Sequence, residues 1–489
     1  MSRTRSSNPG RGLVILVVLV VVTLSALIGS SVLLMGDHAR ASTSHDRRSA
    51  QARLAAWSGV QAVMSRLHAQ RDELLDGVSP VLPESWTFPI EEGSSAPAFR
   101  VVGASGQLAA VSENAKLDVN MATVEMLESL TMVSTTLARA IVDARPFGSI
   151  GELGGVPGVT PALMYPGAGE QDTEGSGEPG TLSEVLTVFA FDPNIQLGEG
   201  DDGEEHRGNR RVYLGPNWSD DAHQAVVDRW DESAAQFIEG LFEEGERLNK
   251  TSDVVALMRR FSASPEGWVE ALDAVTTVEG EHVRGLVDLN RAPAVVLAAI
   301  PGIDETGAHA IVDLRDRLGL DQRRSIAWPA IEGILTEDEL QEASDWLTTR
   351  STQWRVRVEG GVMPAGGPVP AVEGEQLMLD RVVYDCVIDV SSRRPRVAYL
   401  RDVSAFDIAL AMQDDGEAPE SETLDEDAER ESDAVDGFEP SNEAPHEDDV
   451  EPAGEAPDGP EEPMGDLADG DDLTTGRIGR WTVSGGDGS

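Results

Sequence analysis

The sequence predicts an α+β protein in which a long N-terminal transmembrane and amphipathic helix packs on an antiparallel sheet, the sheet being interrupted by a large all-α insert and followed by an acidic tail. Three observations predict it. Residues 13–35 form an uncharged run of 23 residues that leads into an amphipathic stretch. Segments of alternating apolar and polar residues lie on both sides of the chain's middle. Between them, a gapless internal repeat has helical character.

The elements follow in order. At 1.5 Å per residue, residues 13–35 reach across a hydrocarbon core of about 30 Å. Arg3, Arg5 and Arg11 precede the run without any acid, which predicts a cytoplasmic N-terminus and an exported body. Ala39-Arg40-Ala41 offers a competing signal-peptide cleavage site, but the apolar run exceeds the usual length of such peptides. Over residues 36–78, Leu54, Trp57, Val60, Met64 and Leu67 recur at three- and four-residue steps while arginines fall elsewhere, so an amphipathic stem helix is expected with that stripe facing the sheet. Residues 99–102 and 107–111, within a strand region at 79–116, predict a hairpin entering the insert.

The insert, residues 117–350, opens and closes on the repeat. Residues 117–145 align with 287–315 at a constant offset of 170, with 11 of 29 positions identical, among them Asp118/Asp288, Asn120/Asn290, Ala122/Ala292 and Arg145/Arg315. Each copy, in units 117–160 and 287–347, reads as an extended entry, a short helix that Asn120 or Asn290 can cap, a turn and a second helix. Val156-Pro157-Gly158-Val159 reads as a further, degenerate hairpin turn. Residues 167–180 and 198–209 are loops by their Gly and acid content, and 220–248 and 252–261 are helical. Strict alternation resumes in residues 354–359 and 382–390, which puts Val382, Tyr384, Cys386, Ile388 and Val390 on one face and Asp385 and Asp389 on the other; residues 396–401 add a strand, within a closing region 351–411.

The turn in the second copy, Ile300-Pro301-Gly302-Ile303, is similar to a helix-hairpin-helix, a fold that commonly binds the DNA backbone. Asp304 and Glu305 follow it and would repel phosphate, and the first copy has Thr131-Met132-Val133 instead. The net charge of −49, from 87 acidic and 38 basic residues, also argues against binding a polyanion. A membrane-anchored, competence-type DNA receptor is nevertheless the alternative reading.

The junction Arg11-Gly12-Leu13 resembles a type IV pilin-like signal, and the order of landmarks resembles the K-type minor pseudopilins of type II secretion (the GspK family) from Arg11 to about Asp402. Those landmarks are the segment Glu113-Asn114-Ala115-Lys116-Leu117-Asp118-Val119-Asn120-Met121-Ala122, then Asn290-Arg291-Ala292 with Pro301-Gly302, then the strand at Trp354. The fifth position after Gly12 is Val17 where most pilins have Glu; the K type also lacks that acid. The resemblance implies cleavage of a 1–12 leader between Gly12 and Leu13 by a prepilin peptidase, methylation of the new N-terminus, and a helix-hairpin-helix or SAM-like insert. It also implies a single-pass protein of the inner membrane with a periplasmic body. Its partners would be other minor pseudopilins and the secretion-system inner-membrane platform, with no nucleic acid, and its role would be to prime or cap the tip of the pseudopilus. Calcium binding in the insert is a further implication, with no ligand residue assigned. The long spacer between the repeats and the acidic tail depart from the family pattern.

No motif for an enzyme is found, and no Cys/His cluster at ligand spacing. The expectation is therefore a structural and interaction protein without a catalytic residue or cofactor. His223 and His309 read as helix-surface side chains, the acidic loop at 201–205 as solvated, and Cys386, the one cysteine, excludes an intramolecular disulfide. Within the 412–489 tail, residues 414–472 hold 26 acids against Arg430 alone and too few large apolar residues to offset ordering, so disorder is expected, with a short anchor around Trp481 as the alternative to a purely solubilising extension.

Overall fold

Helix α1 (Gly10–Ala69) runs for 60 residues without a break, which the sequence permits because no proline lies between Pro9 and Pro80. It is the first element of a computed structural model that describes residues 10–82, 85–87, 96–102, 109–165, 180–198, 206–215, 218–261, 264–363 and 378–405. The acidic tail, the anchor around Trp481, the loop at 201–205 and nearly all of the loop at 167–180 lie outside the described residues. From Leu16 to Gly36 the helix is long and apolar enough to cross a membrane, with a mean hydropathy of 2.6 and none of it buried in the protein.

The second half of α1 lies on an antiparallel sheet of β1 (Ser85–Thr87), β2 (Ala96–Val102), β3 (Ala110–Ser112), β4 (Gln353–Met363), β5 (Leu379–Asp389) and β6 (Arg396–Asp402). The order is β1-β2-β4-β5-β6, with β3 also on β4. The fold is α+β. The hairpin expected between residues 99–102 and 107–111 is not formed: β2 and β3 both pair with β4, end to end, β2 along Arg357–Met363 and β3 along Trp354–Val356. An eleven-residue strand has room for both, so the chain enters the insert beside the N-terminal half of β4.

Val60, Val63 and Leu67 of α1 pack on Phe99, Trp354, Val356, Val358, Cys386, Ile388 and Val390. The expected stripe is rotated, because Leu54 and Trp57 are exposed and Ala52, Ala55 and Ala56 are buried in their place. Two glycines explain this. A Cβ on Gly360 would stand 2.6 Å from Ala56 Cα and 2.7 Å from the Ala52 carbonyl, and one on Gly59 would stand 2.6 Å from Val358 Cγ1. Helix and sheet approach too closely there for Leu or Trp, so small residues take the contact and large ones turn outward. Asp385 and Asp389, expected on the solvent side of β5, are also buried, the first paired with Arg355 at 2.7 Å and the second with Arg396 at 2.8 Å.

The insert is mainly helical but carries short strands that organise it into three units. In the first, Leu117–Asp118 pairs in parallel with Leu186–Thr187; in the third, Val287–Asp288 pairs with Leu347–Thr348. The middle of the insert has the same clasp, Val212–Tyr213 with Val275–Thr276. The next backbone bond is repeated as well: the amides of Val119, Leu214 and Leu289 donate to the carbonyls of Thr187, Thr276 and Thr348 at 2.8, 2.9 and 2.8 Å. The first and third units share one core, while the middle unit builds its own around Trp268 with Ala327 and Leu340 of the third.

The residues identical between the repeats hold these clasps. Asp118 and Asp288 accept from the amides of Asn120 and Asn290 (2.8 and 2.9 Å), and Arg145 and Arg315 each donate to the carbonyl of Ala122 or Ala292 at 2.6 Å. The asparagines do not cap the first helices. Asn120 bonds both backbone groups of Phe147, and Asn290 donates to the Arg323 and Thr349 carbonyls. Thr123 is the cap of the first copy, accepting from Met126 N at 3.2 Å.

Candidate functional site

Three places bear on function: the start of α1, the hairpin turns, and the seam between sheet and insert. Gly12 and Leu13 lie in the first turn of α1, contiguous with the exposed apolar run. Val17 stands within that run with no acidic side chain beside it in sequence.

Gly302 has φ +82° and Gly158 φ +98°, left-handed conformations that favour glycine. Each turn packs on the closing helix of the other hairpin in its own unit. A Cβ on Gly302 would meet Glu342 Cβ at 3.1 Å and Ala343 N at 3.2 Å, on helix Glu337–Ala343, and one on Gly158 would lie 3.7 Å from Leu137, on helix Thr135–Asp143. Asp304 caps helix Glu305–Arg315, its carboxylate accepting from Gly307 N at 2.7 Å. A phosphate approaching that helix end meets a carboxylate already seated on the amide. At Val156-Pro157-Gly158-Val159 the cap is the neutral Thr160 (3.2 Å to Leu163 N), with Glu152 on the preceding turn. No retarded band is therefore expected when the protein is run with a short DNA duplex at about 50 mM salt, where even non-specific complexes persist; a band lost in Gly302→Glu would reverse this.

At the seam, Glu113 is wholly buried between β3 and the first unit. It pairs with Arg355 of β4 at 2.6 Å and Lys116 at 3.7 Å, and accepts from the Thr187 hydroxyl. Burial alone would raise its pKa, but Arg355 and Lys116 outweigh it and hold the carboxyl at about 2. Arg355 also pairs with Asp385 and lies 5.6 Å from the Tyr399 ring centre. Burial pushes the Asp118 carboxyl up to about 6, against the Asn120 amide bond. Burial, then Asp385, pushes the Cys386 thiol up to about 12, which keeps it protonated and unreactive. A second set of contacts clamps the end of the stem: Arg291 donates to the Gly77 and Val78 carbonyls (2.7 and 3.0 Å) and Arg207 pairs with Asp76 at 2.7 Å.

Among the described residues no group of three or more His, Cys, Asp or Glu is placed to hold a metal ion. His223 lies edge-on to Trp218, with ring centres 5.3 Å apart. Sequence reasoning missed the middle unit because it shares no run of identities with the repeats; the closing pairs Leu186-Thr187, Val275-Thr276 and Leu347-Thr348 were the available signal.

A helix-hairpin-helix motif family model matches residues 112–169. That span covers the first unit's opening clasp strand and the Pro157-Gly158 turn. No curated protein matches the chain. Among solved structures, the chain is similar to one in the GspK–GspI–GspJ complex of the enterotoxigenic Escherichia coli type 2 secretion system. The identity is 10%, with a TM-score of 0.29, over 73% of this chain and 99% of that one.

Proposed function

We propose that this chain is a minor pseudopilin of the K type, anchored in the inner membrane with its body in the periplasm, and that it primes or caps the tip of a type II secretion pseudopilus. The observation that carries the reading is the division of α1. One unbroken helix offers an uncovered apolar half to a lipid or helical bundle and lays its other half on an antiparallel sheet split by a helical insert. Prepilin peptidase would cut between Gly12 and Leu13, and other minor pseudopilins and the inner-membrane platform would be the partners. Val17 fits the position: an acid there would pair with the N-terminal amine of a neighbouring subunit, and the first subunit of a fibre has no such neighbour above it. The role is assembly, with no turnover.

N-terminal peptide and intact-mass analysis of the protein from its own host's membranes tests this. A start at Leu13 carrying an added methyl is the expected result. A start at Ser42 would sink the proposal, and an uncut Met1 would favour the membrane-anchored DNA receptor instead.

A further inference from the structure

A cavity of about 70 Å³ lies between the closing strands of the middle and third units, Val275–Thr276 and Leu347–Thr348. At roughly 10–15 Å³ per water centre it has room for about five to seven waters, enough for the heavy atoms of a tetrahedral oxyanion. Three arginines, Arg211, Arg324 and Arg350, and two aspartates, Asp192 and Asp273, are among the residues that line it.

The carboxylates are committed. Both oxygens of Asp192 accept from Arg350, at 2.7 and 2.9 Å, and those of Asp273 accept from the amides of Leu197 and Gly198, at 2.7 and 3.0 Å. Arg324 reaches Asp76 and Asp321, at 3.7 and 3.4 Å. Arg211 differs: its Nε donates to the Asp273 carbonyl at 3.1 Å, and no carboxylate among the described residues stands within ion-pair distance of it. Burial and the neighbouring Arg350 push its pKa down, against the opposing pull of Asp192 and Asp273. The hydroxyl residues Thr276, Ser325 and Thr348 share the wall.

We infer that this cavity binds a small inorganic oxyanion, phosphate or sulfate, with Arg211 as its counter-charge and the wall hydroxyls as donors. A fork of guanidinium N–H groups suits such an ion better than an ammonium does. The inference stands apart from the secretion reading, since it concerns the insert alone.

The test uses the full-length protein in detergent, in chloride buffer at constant ionic strength, with inorganic phosphate as the probe. Saturating phosphate is expected to raise Tm by about 2–4 °C and to broaden the phosphate ³¹P resonance, with sulfate restoring the narrow line. Glycerophosphate, too large for the cavity, should do neither; an equal response to it would mark a headgroup surface and overturn the inference. So would wild-type protein giving neither signal, or Arg211→Gln keeping both. Should Arg211→Gln fail to fold, Arg211→Lys carries the test, with phosphate affinity at least about tenfold weaker; unchanged affinity would overturn the assignment.

Discussion

Valine at position 360 is expected to unfold the head at far lower denaturant than the natural glycine. Gly360 sits in β4, where valine is the better strand former by up to about 1 kcal/mol, so propensity alone forecasts a gain. The contact forecasts the reverse, because the atoms a Cβ would meet, Ala56 Cα at 2.6 Å and the Ala52 carbonyl at 2.7 Å, are backbone and cannot rotate away. Overpacking of this kind costs about 1–3 kcal/mol, and we expect the upper end since helix and sheet must separate. Urea unfolding of full-length protein in detergent, followed by tryptophan fluorescence, reads it through buried Trp354. Gly154→Ala is the control, having nothing within 4 Å of a Cβ, and should shift stability by less than about 0.5 kcal/mol. Equal stability of Gly360→Val and wild type would disprove the close approach.

The second large effect belongs to Glu113. Removing one partner of a buried ion pair costs about 3–5 kcal/mol, and because Arg355 keeps Asp385 we expect Glu113→Gln to cost about 2–3 kcal/mol at neutral pH. The pH dependence has a definite sign. The carboxyl titrates near 4.5 in an unfolded chain and is held at about 2 in the fold. Its contribution is therefore complete above about pH 4.5 and is lost as pH falls towards 2, amounting to about 3 kcal/mol in all. Asp118 acts oppositely: its carboxyl stands at about 6 in the fold, so it lowers stability as pH rises from about 4 to 6. The difference between wild-type and Glu113→Gln stability across pH isolates the first term. A difference that stays constant between pH 5 and pH 2 would refute the assignment.

Much of this architecture was legible in the sequence. The apolar run, the period of two in β4 and β5, and the duplicated segment each rest on local patterning, and local patterning survives folding. What was not legible depends on partners distant in sequence. The helix face was misjudged because large apolar side chains mark a buried stripe only where the partner surface leaves room, and Gly360, some 300 residues away, removes that room. The middle unit was missed because two-residue strands carry almost no periodic signal. Nothing in the local sequence around Glu113 signals that Arg355, Lys116 and Thr187 converge on it. For the hairpins, the sequence reading expects Asp304 to repel phosphate; that its carboxylate caps its own helix depends on how the turn folds.

The continuity of α1 has a mechanical consequence. Sixty residues at 1.5 Å make a rod of about 90 Å, with no proline in it and with its helix unbroken through the Gly29-Ser30 and Ser58-Gly59 pairs. A displacement of its apolar end along the axis is carried by the continuous helix to the sheet, and a torque is carried as rotation. The load enters the head through the Ala52, Ala56, Gly59 and Gly360 contact, where interlocking backbones resist sliding, and through the Arg207 and Arg291 clamp on Asp76, Gly77 and Val78. The contacts therefore couple the insert to the shaft, so a load on the apolar end of α1 is passed to the units as well as to the sheet.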